Sequence, residues 1–464
     1  MSRIGLVVHG QPPELVGGTE RLVAELAAAL AARGETVEVF TGSIEWRPAF
    51  EVVRDASGPV PLVRVHRDDL FFERWDKLQN PFVERALRAW LAEFRPDVVH
   101  VHHWARLSTA LVTTCVAAGI PVALTLHDLL ASCPRYHRVK ADLSFCEVPP
   151  SPEACRYCAP RWRFQGDAEI DASVLAFARE LREEVAAADL VLAPTAGHAR
   201  RVLGWLGLDR PVTVLAPAGG GAGIGPAARP LGRAAASAQS PLRVGVFGHL
   251  HPLKGVEVLL DAQAALPEPA QVELHVWGEA PVPAMGEALR LRAGGRRVVW
   301  HGRYRPEDLS GAPIDVAALP TLCSESYSFA LDEAAALGVP IVASDLGALA
   351  DRATGRMLLF PRGDAAALAR LLERLARDGE ERARLAAAPA PERIDMPGHL
   401  AALLPLYREL ALARTRRPAS PPDERALARA EHAFRLREAA LHELLRSEGW
   451  EDVVARLNDE LRRR

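Results

Sequence analysis

Glu325 and Glu333 stand eight residues apart in Cys323-Ser-Glu-Ser-Tyr-Ser-Phe-Ala-Leu-Asp-Glu, followed by Gly338-Val-Pro and the apolar run Ile341-Val-Ala. That order reads as a loop, a helix and a buried strand, so the two carboxylates bracket a helix start. A helix N-terminus offers unpaired N–H groups and the positive end of a dipole, which suits phosphate. Ionised Glu repels phosphate but accepts hydrogen bonds from adjacent ring hydroxyls. Phosphate-binding amides flanked by Glu therefore point to a ligand with both phosphate and sugar, and a nucleotide-sugar fits. Upstream, Gly248-His-Leu-His-Pro-Leu-Lys-Gly255 joins a strand to a helix. Lys254 at that turn could neutralise a diphosphate that also meets helix amides, and Gly248 lets the backbone approach closely. Taken alone, a solvated lysine before a surface helix is the simpler reading.

The N-terminal half carries candidates of its own. Gly17-Gly18-Thr19-Glu20 follows a first strand and short loop and precedes a helix over 21–33, placing glycine amides against a donor phosphate or an acceptor; a bare capping turn reads the same way. His127-Asp128 ends an apolar strand, so its side chains emerge at a carboxyl edge, where a lone His is usually structural. His100, His102 and His103 cluster at another strand end, read equally as loop polar residues or as ligands, with a metal site there not expected.

Four of the six cysteines, Cys133, Cys146, Cys155 and Cys158, fall within 26 residues. Such a cluster in a cytosolic chain is more often metal-binding than disulfide-forming, and four thiolates satisfy tetrahedral zinc. The intervals match no standard finger, and His137 could replace one thiolate. Redox thiols, an iron–sulfur cluster or plain burial are the alternatives to structural zinc. Arg135, Arg138, Lys140, Arg156, Arg161 and Arg163 surround the cysteines and could balance a negative metal centre. A metal would also pin an otherwise uncommonly long loop beside the cleft.

The elements that position these residues alternate twice. Apolar runs at 4–8, 37–40, 98–101, 122–126, 190–193 and 212–215, separated by helices or loops, predict a mostly parallel sheet. Residues 219–240, rich in Gly, Ala and Pro, read as a linker. No Gly-x-Gly-x-x-Gly register passes through that glycine run and no helix follows it directly, so a dinucleotide fingerprint is absent. The alternation resumes at 244–247, 272–276, 298–301, 316–319, 341–343 and 357–360, with helices over 256–265 and 365–377. The class is therefore α/β, with two doubly wound domains whose ligands belong beyond the carboxyl ends of the strands. The expected division is 1–218 with a cysteine-rich insertion at 129–165, the linker, 241–391, a crossover helix within 392–414, and a helical extension over 415–464. In that extension Trp450, Val453, Val454, Leu457 and Leu461 form an amphipathic stripe, read as docking on the protein's own surface in preference to dimerisation or a partner site. A net charge of −3 does not suggest nucleic acid. The N-terminus reads as a first strand and not a signal peptide, and no apolar segment approaches the ~20 residues that span a bilayer. A cytoplasmic protein is expected, with a peripheral contact at the inner membrane face left open and no signal for oligomeric state.

Gly248 to Gly255, Trp277-Gly-Glu279, His301-Gly302, Pro320, then Glu325, Glu333 and Gly338-Val-Pro340 recur in an order and spacing that resembles the donor domain of glycosyltransferase family four, with the GT-B fold. The resemblance covers residues 1–414. It implies two Rossmann-like domains facing a cleft and transfer of a sugar from a nucleotide-sugar to a hydroxyl acceptor, with retention of anomeric configuration. The acceptor is a glycan, a lipid-linked molecule or a small molecule, and no catalytic metal is expected. Lys254 would contact the donor diphosphate, Glu325 the sugar hydroxyls and Glu333 the ribose. Ser326, Tyr327, Ser328 and Phe329 would lend N–H groups, with Gly17, Gly18, Gly248, His249 and Gly302 completing the donor site. His127 would face the reacting sugar and form the catalytic set with Lys254 and Glu325, Asp128 would orient His127 or touch the acceptor, and His103 would lie towards the acceptor. Cys133-Pro134 and the later Cys-x-x-Cys resemble a cysteine-bearing subset of these transferases. One departure stands out: the family usually has Arg where this chain has His249, which predicts weaker or pH-dependent phosphate contact. A GT-B epimerase, revealed by donor isomerisation without acceptor, and a noncatalytic nucleotide-sugar-binding protein are the rival classes.

Overall fold

The computed structural model describes residues 2–162, 164–227, 234–268, 271–413, 419–420 and 423–447. Its first eight strands, β1 (Arg3–Val8), β2 (Thr36–Gly42), β3 (Glu51–Asp55), β4 (Leu62–His66), β5 (Val98–Val101), β6 (Val122–Thr125), β7 (Leu190–Ala193) and β8 (Thr213–Val214), form one sheet in the order β3-β4-β2-β1-β5-β6-β7-β8. All its pairs are parallel except β3–β4. Runs such as Val98-Val-His-Val and Val122-Ala-Leu-Thr have no solvent-facing alternation because helices cover both faces. The sequence expectation omits β3 and β4: β3 is exposed over most of its length at the sheet edge, so it carries no apolar run.

The second sheet is wholly parallel, β11-β10-β9-β12-β13-β14, built from β9 (Leu242–Phe247), β10 (Val272–Trp277), β11 (Val298–Gly302), β12 (Val316–Leu319), β13 (Ile341–Ser344) and β14 (Met357–Phe360). In each sheet the strand order turns back once, between β1 and β5 and between β9 and β12. Loops leaving neighbouring strands diverge at such a point and open a crevice. The segments after β1, β9 and β12, which carry Gly17, Gly18, Lys254, Glu325 and Glu333, leave strands at these two points.

The helix Met396–Ala413 lays Leu400, Leu403, Leu404, Tyr407 and Leu410 against Ile4, Leu6 and Val8 of β1 and Leu26 and Leu30 of the helix Gly18–Ala32. The chain thus returns to its first half after building the second. Arg201 adds a link at 2.7 Å to Asp351, which also accepts from Thr195 Oγ1 at 3.0 Å. Beyond the crossover, the helix Glu424–Ser447 docks on the first half. Its buried Glu438 accepts the Leu70 N–H at 3.0 Å and pairs with Lys77, while Phe434 meets Phe82 edge-on at 5.9 Å. The stripe from Trp450 to Leu461 lies outside the described residues. No described helix is long and apolar enough to cross a membrane.

Candidate functional site

A cleft of about 700 Å³ lies between the two halves, lined by Gly17, Gly18, His127, Gly248, His249, Lys254, Tyr304, Glu325 to Phe329 and Glu333 among others. That volume is in the range of roughly 300–1,000 Å³ typical of small-ligand sites. Three helices begin at this cleft or immediately beside it: Gly18–Ala32, Val256–Ala264 and Phe329–Leu337. None of the three has a side-chain cap. Their first N–H groups therefore lack the partner that Asn80 or Thr195 supplies to other helices of this chain, and they are available to an anion.

Local backbone demands explain two of the glycines. Gly255 sits at φ 70°, and a Cβ there would lie 1.9 Å from the Pro320 carbonyl oxygen, so only glycine lets the loops after β9 and β12 close together. A Cβ on Gly18 would press within 2.9 Å of the Phe329 ring, which reaches across from the other half. Ser328 at φ 72° is a non-glycine residue held in a left-handed conformation at the start of its helix, a strain of about 1–3 kcal/mol of the kind that clusters at ligand clamps.

The closeness of those loops brings Lys254 Nζ to 2.6 Å from Glu325 Oε1, across 71 residues of sequence. Burial alone would lower the Lys254 pKa, but Glu325, Cys323 and Glu333 outweigh it and hold the ammonium well above its ordinary value. Glu333 lies deeper, 8% exposed, and accepts from Tyr304 OH at 2.9 Å. Burial pushes its carboxyl up to about 7, against the opposing pull of that hydrogen bond. Gly302 does not line the cleft; its carbonyl accepts the Gly278 N–H at 2.7 Å, and the next residues, Arg303 and Tyr304, form the wall instead. Tyr304 falls within the 301–305 stretch expected to shape the pocket but is not singled out by sequence, although its place in the loop after β11 is a signal of the same kind as the others.

On the opposite wall His127 follows β6, its backbone carbonyl accepting the Ser326 hydroxyl from the other half. Burial, then His103, lowers its pKa to about 3, so it is a neutral imidazole. Asp128 and His103 are not part of the cleft lining but form a second polar group behind it. His103 Nδ1 accepts the Ala105 N–H at 3.1 Å, which leaves its Nε2–H to donate to Asp128 Oδ2 at 3.1 Å. Burial would raise the Asp128 pKa, but His103 and the Leu130 N–H hold it below the usual carboxylate range. His9, one residue past β1, pairs with Glu20 at 2.7 Å and lies 4.1 Å, ring to ring, from His103. Neither His9 nor Glu20 is singled out by sequence, although His9 leaves a strand end just as His127 does.

Among the described residues no group of three or more His, Cys, Asp or Glu side chains is disposed to hold a metal ion. Cys133, Cys146, Cys155 and Cys158 are all free thiols lining one small cavity, with His137 outside it. Arg138 is buried among them and donates to Ser132 O at 2.5 Å, to Cys146 O at 2.8 Å and towards Cys146 Sγ at 3.7 Å. Burial raises the pKa of Cys155 to about 11 and that of Cys133 above its ordinary value. Arg163 lies outside the described residues.

Residues 16–218 match the model described as Glycosyltransferase Family 4, and residues 241–378 match that described as Glycosyl transferases group 1. The chain is 32% identical over 449 residues to the D-inositol 3-phosphate glycosyltransferase of Xylanimonas cellulosilytica, covering 89% of this chain and 97% of that one. It is 28% identical over 395 residues to the phosphatidyl-myo-inositol mannosyltransferase of Mycobacterium leprae, covering 81% and 88%. The fold is shared with sucrose-phosphate synthase from Thermosynechococcus elongatus, at a TM-score of 0.59, 19% identity, and coverage of 90% of this chain and 98% of that one. It is also shared with HepE of Anabaena in complex with UDP and glucose, at a TM-score of 0.57, 16% identity, and coverage of 88% and 100%.

Proposed function

The chain belongs to glycosyltransferase family 4 and has the GT-B fold, and from that premise we propose that it moves a sugar from a nucleotide-sugar to a hydroxyl acceptor with retention of anomeric configuration. The carrying observation is the Lys254–Glu325 contact set among uncapped helix starts. One cation and a set of N–H groups suit a diphosphate, and the carboxylate beside them suits the hydroxyls of the sugar attached to it.

In this reading the incoming diphosphate takes over Lys254, and Glu325, released from it, accepts hydroxyls of the donor sugar. Glu333 in its ionised form accepts from the ribose. The anomeric carbon–phosphate oxygen bond breaks, the bond to the acceptor oxygen forms on the same face, and the acceptor proton passes to the leaving phosphate oxygen. Lys254, Gly17, Gly18 and the amides from Ser326 to Phe329 stabilise the charge that gathers there, before and without reorganisation. Gly248 and His249 complete the phosphate loop, and no catalytic metal is required. His127 faces the reacting sugar, with His103 and Asp128 on the acceptor side. The two named relatives act on inositol-based molecules, which supports a polyhydroxylated acceptor, free or lipid-linked. A lipid-linked acceptor would bring this cytoplasmic enzyme to the inner face of the membrane.

The reading of the four cysteines as structural zinc ligands is supported by their gathering at one cavity around Arg138, whose buried guanidinium has no carboxylate partner among the described residues. Closure on a metal would require these thiols to ionise and move inward, displacing Arg138 from Cys146 Sγ. About one zinc per chain in metal analysis is expected, and its absence ends that reading.

The central test is Glu325→Ala, assayed after nucleotide-sugars are screened for thermal stabilisation and products are identified by mass. The variant should stay folded and lose transfer; unchanged turnover removes Glu325 from the site, and isomerised donor without acceptor would favour an epimerase.

A further inference from the structure

His102 lies one residue past β5, with its backbone N–H fixed to Val7 O at 2.8 Å. Its side chain is 2% exposed, and its Nδ1 is 2.9 Å from His127 Nε2. The imidazole packs 3.9 Å, ring to ring, from His100. His100 is in turn held from both ends, by Tyr407 OH at 2.6 Å and Thr125 Oγ1 at 2.7 Å. Tyr407 belongs to the crossover helix Met396–Ala413, so the stack is anchored to the element that joins the two halves.

Both His102 and His127 are neutral, because burial penalises the charged form of each. A neutral imidazole has one N–H and one bare nitrogen, and the contact between the two rings holds a single proton. If His127 Nε2 donated it, the His102 proton would be on Nε2, and that atom is buried without a hydrogen-bond partner among the described residues. An orphaned buried N–H is the rarer and costlier outcome. If His102 Nδ1 donates, its Nε2 is a bare nitrogen in a dry place and His127 carries its proton on Nδ1.

We propose that His102 is a positioning residue that locks His127 in its Nδ1–H tautomer, so that His127 presents a hydrogen-bond donor to an oxygen of the bound nucleotide-sugar. This rests on the reading of His127 as the group facing the reacting sugar. It assigns that group the work of a neutral donor and leaves His127 no free ring nitrogen to act as a base, since its Nε2 is taken by His102. The orientation is fixed before the donor arrives, since it derives from the His102–His100–Tyr407 stack and not from substrate.

The direct test is ring-¹⁵N NMR of histidine-labelled protein, with signals assigned through His127→Ala and His102→Leu. The expected spectrum has His127 protonated at Nδ1 and bare at Nε2, with a tautomer mixture in His102→Leu. Release of nucleoside diphosphate from UDP-glucose, GDP-mannose and ADP-glucose supplies the kinetic arm. His102→Leu should lower kcat roughly 10–100-fold while donor KM stays within about threefold, the pattern of a lost transition-state contact. His102→Asn, whose amide can donate from near the Nδ1 position, should recover most of the loss. A His127 protonated at Nε2 in the native chain overturns the proposal, as does equal behaviour of the Leu and Asn variants. Should the Leu variant fail to fold, the native spectrum and the Asn variant still decide. Full turnover by His127→Ala would instead remove the premise about His127 itself, whereas an impaired His127→Ala beside an unaffected His102→Leu would sink this inference alone.

Discussion

The two walls of the cleft solve different electrostatic problems. On the donor wall, unlike charges meet in a partly open setting: the Lys254 and Glu325 side chains are 38% and 16% exposed and stand 2.6 Å apart. On the opposite wall His127 lines the cleft with His102 behind it, both neutral rings kept so by burial, and Asp128, also behind the lining, is the ionised group, held by His103. The difference matches the ligands proposed for each side. A diphosphate brings charge and needs a cation and aligned N–H groups, while an uncharged hydroxyl needs orientation and little else.

That contrast can be broken by removing one group from each wall. Lys254→Ala leaves Glu325 without its cation and the diphosphate without a point charge, so kcat/KM should fall roughly 10²–10³-fold, with nucleoside diphosphate binding weakened in calorimetry. Asp128→Asn keeps the shape and loses only the charge-assisted bond from His103. A loss of about tenfold, expressed in acceptor KM rather than donor KM, is expected there. If the two variants weaken donor binding equally, the division of labour between the walls is wrong.

The same contrast governs what could be read in the sequence. The donor wall is legible because its carboxylates and lysine lie in strand–loop–helix units whose register is marked by Gly248, Gly255 and Gly338, each at positive φ. Parallel strands such as β5 and β12 are equally legible, being unbroken apolar runs. The acceptor wall draws on single residues after β1, β5 and β6, brought together only by strand order. His9 is one residue beyond an apolar run, and Glu20 is hidden inside a glycine motif whose backbone takes the attention. Edge strand β3 is missed because it is exposed and has no periodic burial. The cysteine intervals place four thiols around one cavity, but spacing does not disclose that Arg138 sits among them. The C-terminal extension is helical over Glu424–Ser447, held by Leu427, Phe434, Glu438 and Leu445, none of which belongs to the stripe legible further on.

Glu333 offers the finest probe of the donor wall, because it is a carboxyl placed where burial opposes its charge. Its pKa of about 7 means that near neutral pH a large fraction is protonated and cannot accept from both ribose hydroxyls. Two donating hydroxyls would favour the anion, so donor binding should release protons, and donor KM should fall as pH rises to about 7 and then level off. Within that window the change is bounded by about tenfold per pH unit. Calorimetry of nucleoside diphosphate binding in two buffers of different ionisation enthalpy counts the protons directly. In Glu333→Gln the release should vanish and the profile flatten, with weaker binding at high pH. The stability of the ligand-free chain supplies the opposite sign. A carboxyl whose folded pKa is raised above 4.5 binds more protons in the folded state, so this residue's contribution declines from about pH 4.5 to 7 and stays low above. Glu333→Gln should therefore melt higher than the native chain at pH 8 while binding donor less well. A variant that is both less stable and unaltered in its pH profile would show that Glu333 is a packing residue, leaving Lys254 and Glu325 to hold the donor without it.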